Sequence, residues 1–294
     1  ITQSVLMTFT VPGNAVPDSI GKFELIARSQ NDSSRVDVEE IDLTASMISI
    51  AEVSMNAQSI NQNWSINPGD SRTIYYTVWN NATSQDIFIP SVEVRDVGQW
   101  IVEEPTQTML VINSEKTSAF SVKITAPMQA QLDDICPKLT PVVTSSRSGA
   151  QFSGVEFDGI EISRQDDLTL RVIQGLAVIQ PGSENRLDIE LENNGNGPVL
   201  AELEIDGIPD SWSWHLEYQN QSIENLIPLS AIYDLDDIKR LAVVITPPST
   251  TVADITYQYV LSAKSHDGYE DYNYSDNTVE LESIIDKNHN LVLT

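Results

Sequence analysis

A single cysteine, Cys136, occurs in the 294 residues of this chain, so no intrachain disulfide framework can form. That scarcity leaves secretion open, because domains of about 100 residues can stand on their hydrophobic cores alone. Cys136 lies between Ile135 and Pro137 in a strand-like run, the setting of a buried structural thiol. Histidine is nearly as scarce: only His215, His266 and His289 are available as a general base. No Gly-x-Ser-x-Gly elbow, phosphate-binding glycine loop, His-Glu-x-x-His or paired-cysteine motif accompanies them. Carboxylate pairs abound, but in so acidic a chain chance adjacency nominates no glycosidase acid and base. The expectation is a protein that is not an enzyme.

Basic residues are few as well. Sixteen Lys and Arg stand against 43 Asp and Glu, a net charge of −27. Such a surface repels nucleic acid phosphates and anionic lipid headgroups, which excludes both as partners. It also keeps an exposed, repetitive β-protein soluble. No apolar run reaches 18 residues and no signal peptide is present, so no membrane insertion is expected of this stretch. The chain lacks an initiator methionine and opens within a repeat, which predicts a segment of a longer precursor.

Helical periodicity is missing too, and two-residue alternation takes its place. Ile74, Tyr76 and Val78 share one face, as do Leu187, Ile189 and Leu191, and Phe120, Val122 and Ile124. Asn67-Pro-Gly-Asp70, Asn80-Asn-Ala-Thr83, Gln180-Pro-Gly-Ser183 and Asn193-Asn-Gly-Asn-Gly197 punctuate these runs as turns. Many short strands at this spacing predict an all-β fold of antiparallel sandwiches.

One strand recurs three times. Val5–Pro12, Phe120–Pro127 and Leu241–Pro248 are versions of one alternating strand that ends in proline. An acidic residue follows each first proline by six or seven positions (Asp18, Asp134, Asp254), and then an isoleucine (Ile20, Ile135, Ile255). Spacings of about 115 and 120 residues indicate tandem domains. The boundaries that follow are a partial unit over 1–46, full units over 47–165 and 166–285, and a linker or next unit over 286–294. An isolated half-sandwich is unstable, so residues 1–46 are expected to pack on strands from another molecule or to belong to a unit completed upstream. Two further expectations concern detail. The apolar spacing jumps by three after Val38 and after Phe157, which predicts a β-bulge. The insertion over 216–237 predicts an extra loop or short helix.

Pro181-Gly-Ser183, an alternating strand, Asn193-Asn-Gly195, Ile208-Pro209 before Trp212, and a closing Thr246-Pro-Pro248 together carry a family likeness. They resemble the Ig-like domains associated with α-galactosidases and the cell-adhesion-related (CARDB-type) repeats of bacteria and archaea. The likeness spans nearly the whole chain, though Asn81 is not followed by glycine. It implies tandem Ig-like sandwiches on a secreted or surface-anchored protein, with no catalytic residues to carry over.

Candidate sites follow from residue chemistry. Asp286, Asn288 and Asn290 place oxygen donors at alternating positions, as a calcium loop does. Leu291, however, stands where glycine should turn the chain. Calcium is the one cofactor considered. The clusters Asp234, Asp236, Asp237 and Asp267, Glu270, Asp271 are vaguer acidic groupings. Tyr269, Tyr272 and Tyr274 are candidates for stacking on glycan rings, while Tyr257 and Tyr259 fit a buried face. Trp214 shares a strand face with Trp212, a candidate exposed aromatic patch. Sequons occur at Asn31, Asn63, Asn81, Asn220 and Asn273, in keeping with an extracellular setting.

Three functions fit. The first is a non-catalytic spacer, stalk or lattice element of a prokaryotic surface protein, whose partners are neighbouring domains or copies of the same protein. The second is a glycan- or protein-binding adhesion module. The third is an accessory part of a secreted glycoside hydrolase or protease.

Overall fold

The computed structural model describes residues 4–12, 15–268, 271 and 275–287. In chain order the elements begin with β1 (Ile20–Arg28), β2 (Val36–Thr44), β3 (Ala51–Met55), α1 (Ala57–Ile60), β4 (Ser65–Ile66) and β5 (Ser71–Asn80). Next come β6 (Asp86–Arg95), β7 (Ile101–Val102), β8 (Leu110–Ile112), β9 (Thr117–Thr125), β10 (Lys138–Ser145), β11 (Gln151–Ser153) and β12 (Glu161–Ile162). They continue as β13 (Leu168–Gln174), β14 (Val178–Ile179), β15 (Asn185–Asn193), β16 (Val199–Asp206) and β17 (Ser213–Tyr218). The last are β18 (Gln221–Ile223), β19 (Leu226–Leu229), β20 (Ile238–Thr246), β21 (Thr256–Ser265) and β22 (Thr278–Ile285). The fold is all-β apart from α1, whose N-cap Asn56 accepts the Gln58 N–H at 2.9 Å.

The chain forms two compact units. One comprises Ile1–Trp64, Asp70–Ala126 and Ile135–Ile160; the other comprises Ser65–Gly69, Pro127–Asp134 and Glu161–Thr294. In the first, the sheets β3-β5-β9-β7 and β11-β10-β6-β8 bury the alternate residues Ile74, Tyr76, Val78, Phe88, Phe120, Val122, Leu139 and Val143. The Tyr76 and Phe120 rings lie 5.2 Å apart in that core. In the second, the sheets β13-β15-β20-β17-β18 and β14-β22-β21-β16-β19 close on one core that includes Leu187, Ile189, Leu191, Leu203, Val243, Ile245, Tyr259 and Leu261. The two-residue alternation thus becomes two sandwiches, each built from inward faces of facing sheets.

The repeated strand is central in both units. β9 lies between β5 and β7, and β20 between β15 and β17. The prolines that end them have a partner in common. Gly69 and Gly182, each at positive φ (78° and 73°), donate their N–H to the carbonyls of Pro127 (3.0 Å) and Pro247 (2.9 Å). A Cβ on Gly182 would sit 2.9 Å from Ser249 Cβ, so the turn requires glycine twice over. The repeated acidic residue has a backbone role as well. Asp18 and Asp254 adopt left-handed conformations (φ 65° and 60°) and donate their N–H to Ala45 and Ile285. Asp134 does something else, accepting the Gln131 N–H on its carboxylate.

Several local expectations are corrected. The β1–β2 register runs unbroken from Ile20↔Thr44 to Arg28↔Val36, so the jump after Val38 is no bulge; apolar residues occupy both faces of the hairpin. After Phe157 the chain has left its sheet: Phe157 makes one bridge to Leu139, and β12 then pairs in parallel with β4. A register shift lies between Val172 and Gln174 in the β13–β15 pair, and a one-residue shift separates Val142↔Ser153 from Leu139↔Phe157. The 216–237 insertion forms strands β18 and β19 and then an irregular turn segment over 230–237, with no helix among these residues. Cys136 is half-buried and precedes β10 in an irregular segment.

Candidate functional site

The aromatics separate into core and surface. Trp212 is buried, its ring 4.8 Å from that of Tyr257. Trp214, two residues on in β17, is half-buried against the same core, so the pair forms no exposed patch. Tyr259 is fully buried; its hydroxyl lies 3.0 Å from Ser283 Oγ, and burial raises its pKa. Trp100 is core in the other unit. Tyr269, Tyr272 and Tyr274 lie outside the described residues. Exposed apolar side chains project from an acidic turn at Tyr233 (65%) and Leu235 (91%), beside Asp234 and Asp236. That turn is held by Asp237, which accepts the Tyr233 N–H at 3.1 Å. Periodicity could not show this, because a loop has none.

Asp286 follows β22, where its N–H donates to Ile179 and its carboxylate accepts the Lys287 N–H at 2.8 Å. Asn288 and Asn290 lie outside the described residues. Among the described residues no three His, Cys, Asp or Glu side chains are arranged to hold a metal ion.

A different acidic cluster emerges at one end of the second unit. Asp166 is buried and accepts the Arg164 Nε–H at 2.9 Å, and it bridges by backbone to Asp271. Asp271, also buried, accepts the Leu168 N–H at 3.0 Å. Asp167 lies beside them. Burial first, then the charges of Asp271, Asp276 and Glu192, push its pKa up to about 6. Glu192 is itself paired with Arg171 at 2.9 Å. These acids come from segments about 25 to 110 residues apart, so spacing could not have announced them.

The first asparagine of each Asn-Asn pair is a structural clamp. Asn80 is fully buried; its Nδ2 donates to Ser84 and Ile112 carbonyls (2.8 and 2.9 Å), and its Oδ1 accepts the Ala82 N–H. Asn193 repeats this with the Gly197 and Ser230 carbonyls (2.9 and 2.7 Å) and the Gly195 N–H. Asp86 is a further buried polar side chain, accepting from Ser145 Oγ at 3.0 Å. His215 and His266 each lie near one glutamate, Glu217 at 3.6 Å and Glu202 at 3.4 Å. His289 is outside the described residues.

Asn31, Asn63, Asn81 and Asn220 are all exposed. Asn220 and Gln219, both at positive φ, form the two-residue turn between β17 and β18. Asn273 lies outside the described residues.

No known protein family matches the chain, and no curated protein does. Among solved structures, the D0-D1 domain of intimin is similar over 80% of this chain and 100% of that one, at 8% identity and TM-score 0.24. Domains 4–9 of the surface layer protein SbsC match over 90% of this chain and 35% of that one, at 11% identity and TM-score 0.24. Salmonella alpha-2-macroglobulin reacted with methylamine matches over 90% of this chain and 18% of that one, at 8% identity and TM-score 0.27. At these scores the likeness assigns no family and no role.

Proposed function

We propose that this chain is a non-catalytic structural segment of a prokaryotic cell-surface or secreted protein, built from Ig-like repeats of the CARDB type. The observation that carries the reading is the repeated architecture. The same strand is central in both sandwiches, and the same Pro-Gly turn and the same buried asparagine recur. Sequence kept identical at these points serves the sandwich itself, as in modules that hold distance. The exposed sequon asparagines and the acidic surface support an extracellular place. Neighbouring domains or copies of the same protein are the partners such a segment takes.

An adhesion module is the second reading, favoured by Tyr233 and Leu235 projecting from a turn. The two part company on a glycan and surface-protein array. A spacer gives no saturable binding. Saturable binding lost on Leu235→Ser or Tyr233→Ser would replace the spacer with the adhesion module.

A further inference from the structure

β5 is an inner strand of the sheet β3-β5-β9-β7, whose strands all come from residues 51–125. Its alternation buries Ile74, Tyr76, Val78 and Asn80 and turns Thr73, Tyr75, Thr77 and Trp79 to the outer face. Trp79 is 37% exposed there, and Tyr75 is half-buried. The two aromatics stand four residues apart, about 13 Å along the strand. Thr77 lies between them, with Ser54 of β3 and Ala119 of β9 on either side. Its hydroxyl accepts the Asn56 Nδ2–H at 3.2 Å. Glu52 and Thr117 flank Trp79 in the same way.

The second unit shows this face built with other residues. The clamps Asn80 and Asn193 align β5 with β15. Trp79 then corresponds to Glu192, Thr77 to Glu190, Tyr75 to Asp188 and Thr73 to Arg186. Those positions of β15 carry ion pairs: Arg171 with Glu192 at 2.9 Å, Arg240 with Glu190 at 3.1 Å, and Arg186 with Asp188 at 3.1 Å. On β5 the same positions hold two aromatics and two hydroxyls and no charge. Lys123 and Glu103, at the side of this face, pair with each other at 2.8 Å. A sandwich of this kind folds with charges at these positions, so its core does not call for Trp79 and Tyr75.

We propose that the outer face of β5 binds a chain of uncharged sugars, with Trp79 and Tyr75 each stacking on the C–H face of a ring. Aromatic side chains offer flat area to such faces, and the threonine hydroxyls between them both donate and accept hydrogen bonds. Glu52, beside Trp79, adds an acceptor for a sugar hydroxyl. The net charge of −27 repels acidic polysaccharides, which makes the ligand a neutral one. The separation of the two rings calls for an oligosaccharide, since one sugar reaches only one of them. An open face with two stacking rings holds its ligand weakly, with a dissociation constant on the order of 1 mM. So weak a contact does not survive the washing of an array, and it is therefore tested apart from the spacer reading.

The test is NMR titration of the isotope-labelled full chain with cellohexaose, mannohexaose, maltohexaose and chitohexaose. The probes are the Trp79 indole N–H, assigned by its loss in Trp79→Phe, and the Thr77 amide. The expected result is a saturable shift of both with at least one of these chains, and none with hexagalacturonate, which is acidic. Tyr75→Ala weakens the binding about fivefold, and Trp79→Ala removes it from the Thr77 amide. Thermal melts confirm that each variant keeps its sandwich. No shift with any neutral chain overturns the proposal. So does binding that Trp79→Ala and Tyr75→Ala leave unchanged, or that the acidic chain matches.

Discussion

Asp167 concentrates the electrostatic tension of this acidic chain in one side chain. Burial and three neighbouring carboxylates hold its pKa at about 6, above the 3.8 of an unfolded aspartate. The folded state thus binds the proton more tightly than the unfolded state, so stability falls as pH rises from about 4 through 6. A shift of this size corresponds to about 3 kcal/mol, reduced to about 1 kcal/mol because much of the group meets solvent. Asp167→Asn removes the charge and keeps the shape. Thermal melts between pH 4 and 8 should show the variant more stable than the native chain at pH 7 and equal to it near pH 4. None of this was legible in the sequence, where Asp166 and Asp167 are two acids among 43. The repeated acid at Asp18 and Asp254 was legible as a recurrence, but its cause was not. It supplies a left-handed backbone, which short polar residues tolerate better than most.

Asn193 shows what an element needs beyond alternation. At the end of β15 it satisfies two carbonyls and one N–H that would otherwise be buried unpaired. Asn193→Ala removes all three bonds, and urea unfolding should show a loss of about 3 kcal/mol, each orphaned group costing ~1 kcal/mol or more. Asn194→Ala, which loses one bond to Thr169, should cost less than half as much. The strands themselves were legible, since β5, β9 and β15 bury alternate residues as their sequences alternate. Where alternation broke, the reading failed for a physical reason. A two-residue register accounts for faces only while the strand stays in one sheet, and beyond Phe157 the chain leaves its sheet. In the hairpin the jump in spacing records apolar residues on both faces.

At the scale of the whole molecule, the proposed role depends on two sandwiches that each bury a core of their own and bear force in sequence. The composition made the class of fold legible: few helix signals, frequent turns and one repeated strand. The aromatics were legible in part: Tyr257 and Tyr259 fit a buried face and pack in the core, whereas Trp212, paired in sequence with Trp214 as a candidate exposed patch, stacks on Tyr257. Single-molecule extension of the chain by its two ends tests the central claim most directly. The account predicts two discrete unfolding events, each releasing on the order of 40 nm, from about 0.36 nm per residue over a sandwich of about 110 residues. One event releasing the whole chain, or extension without force peaks, would contradict it.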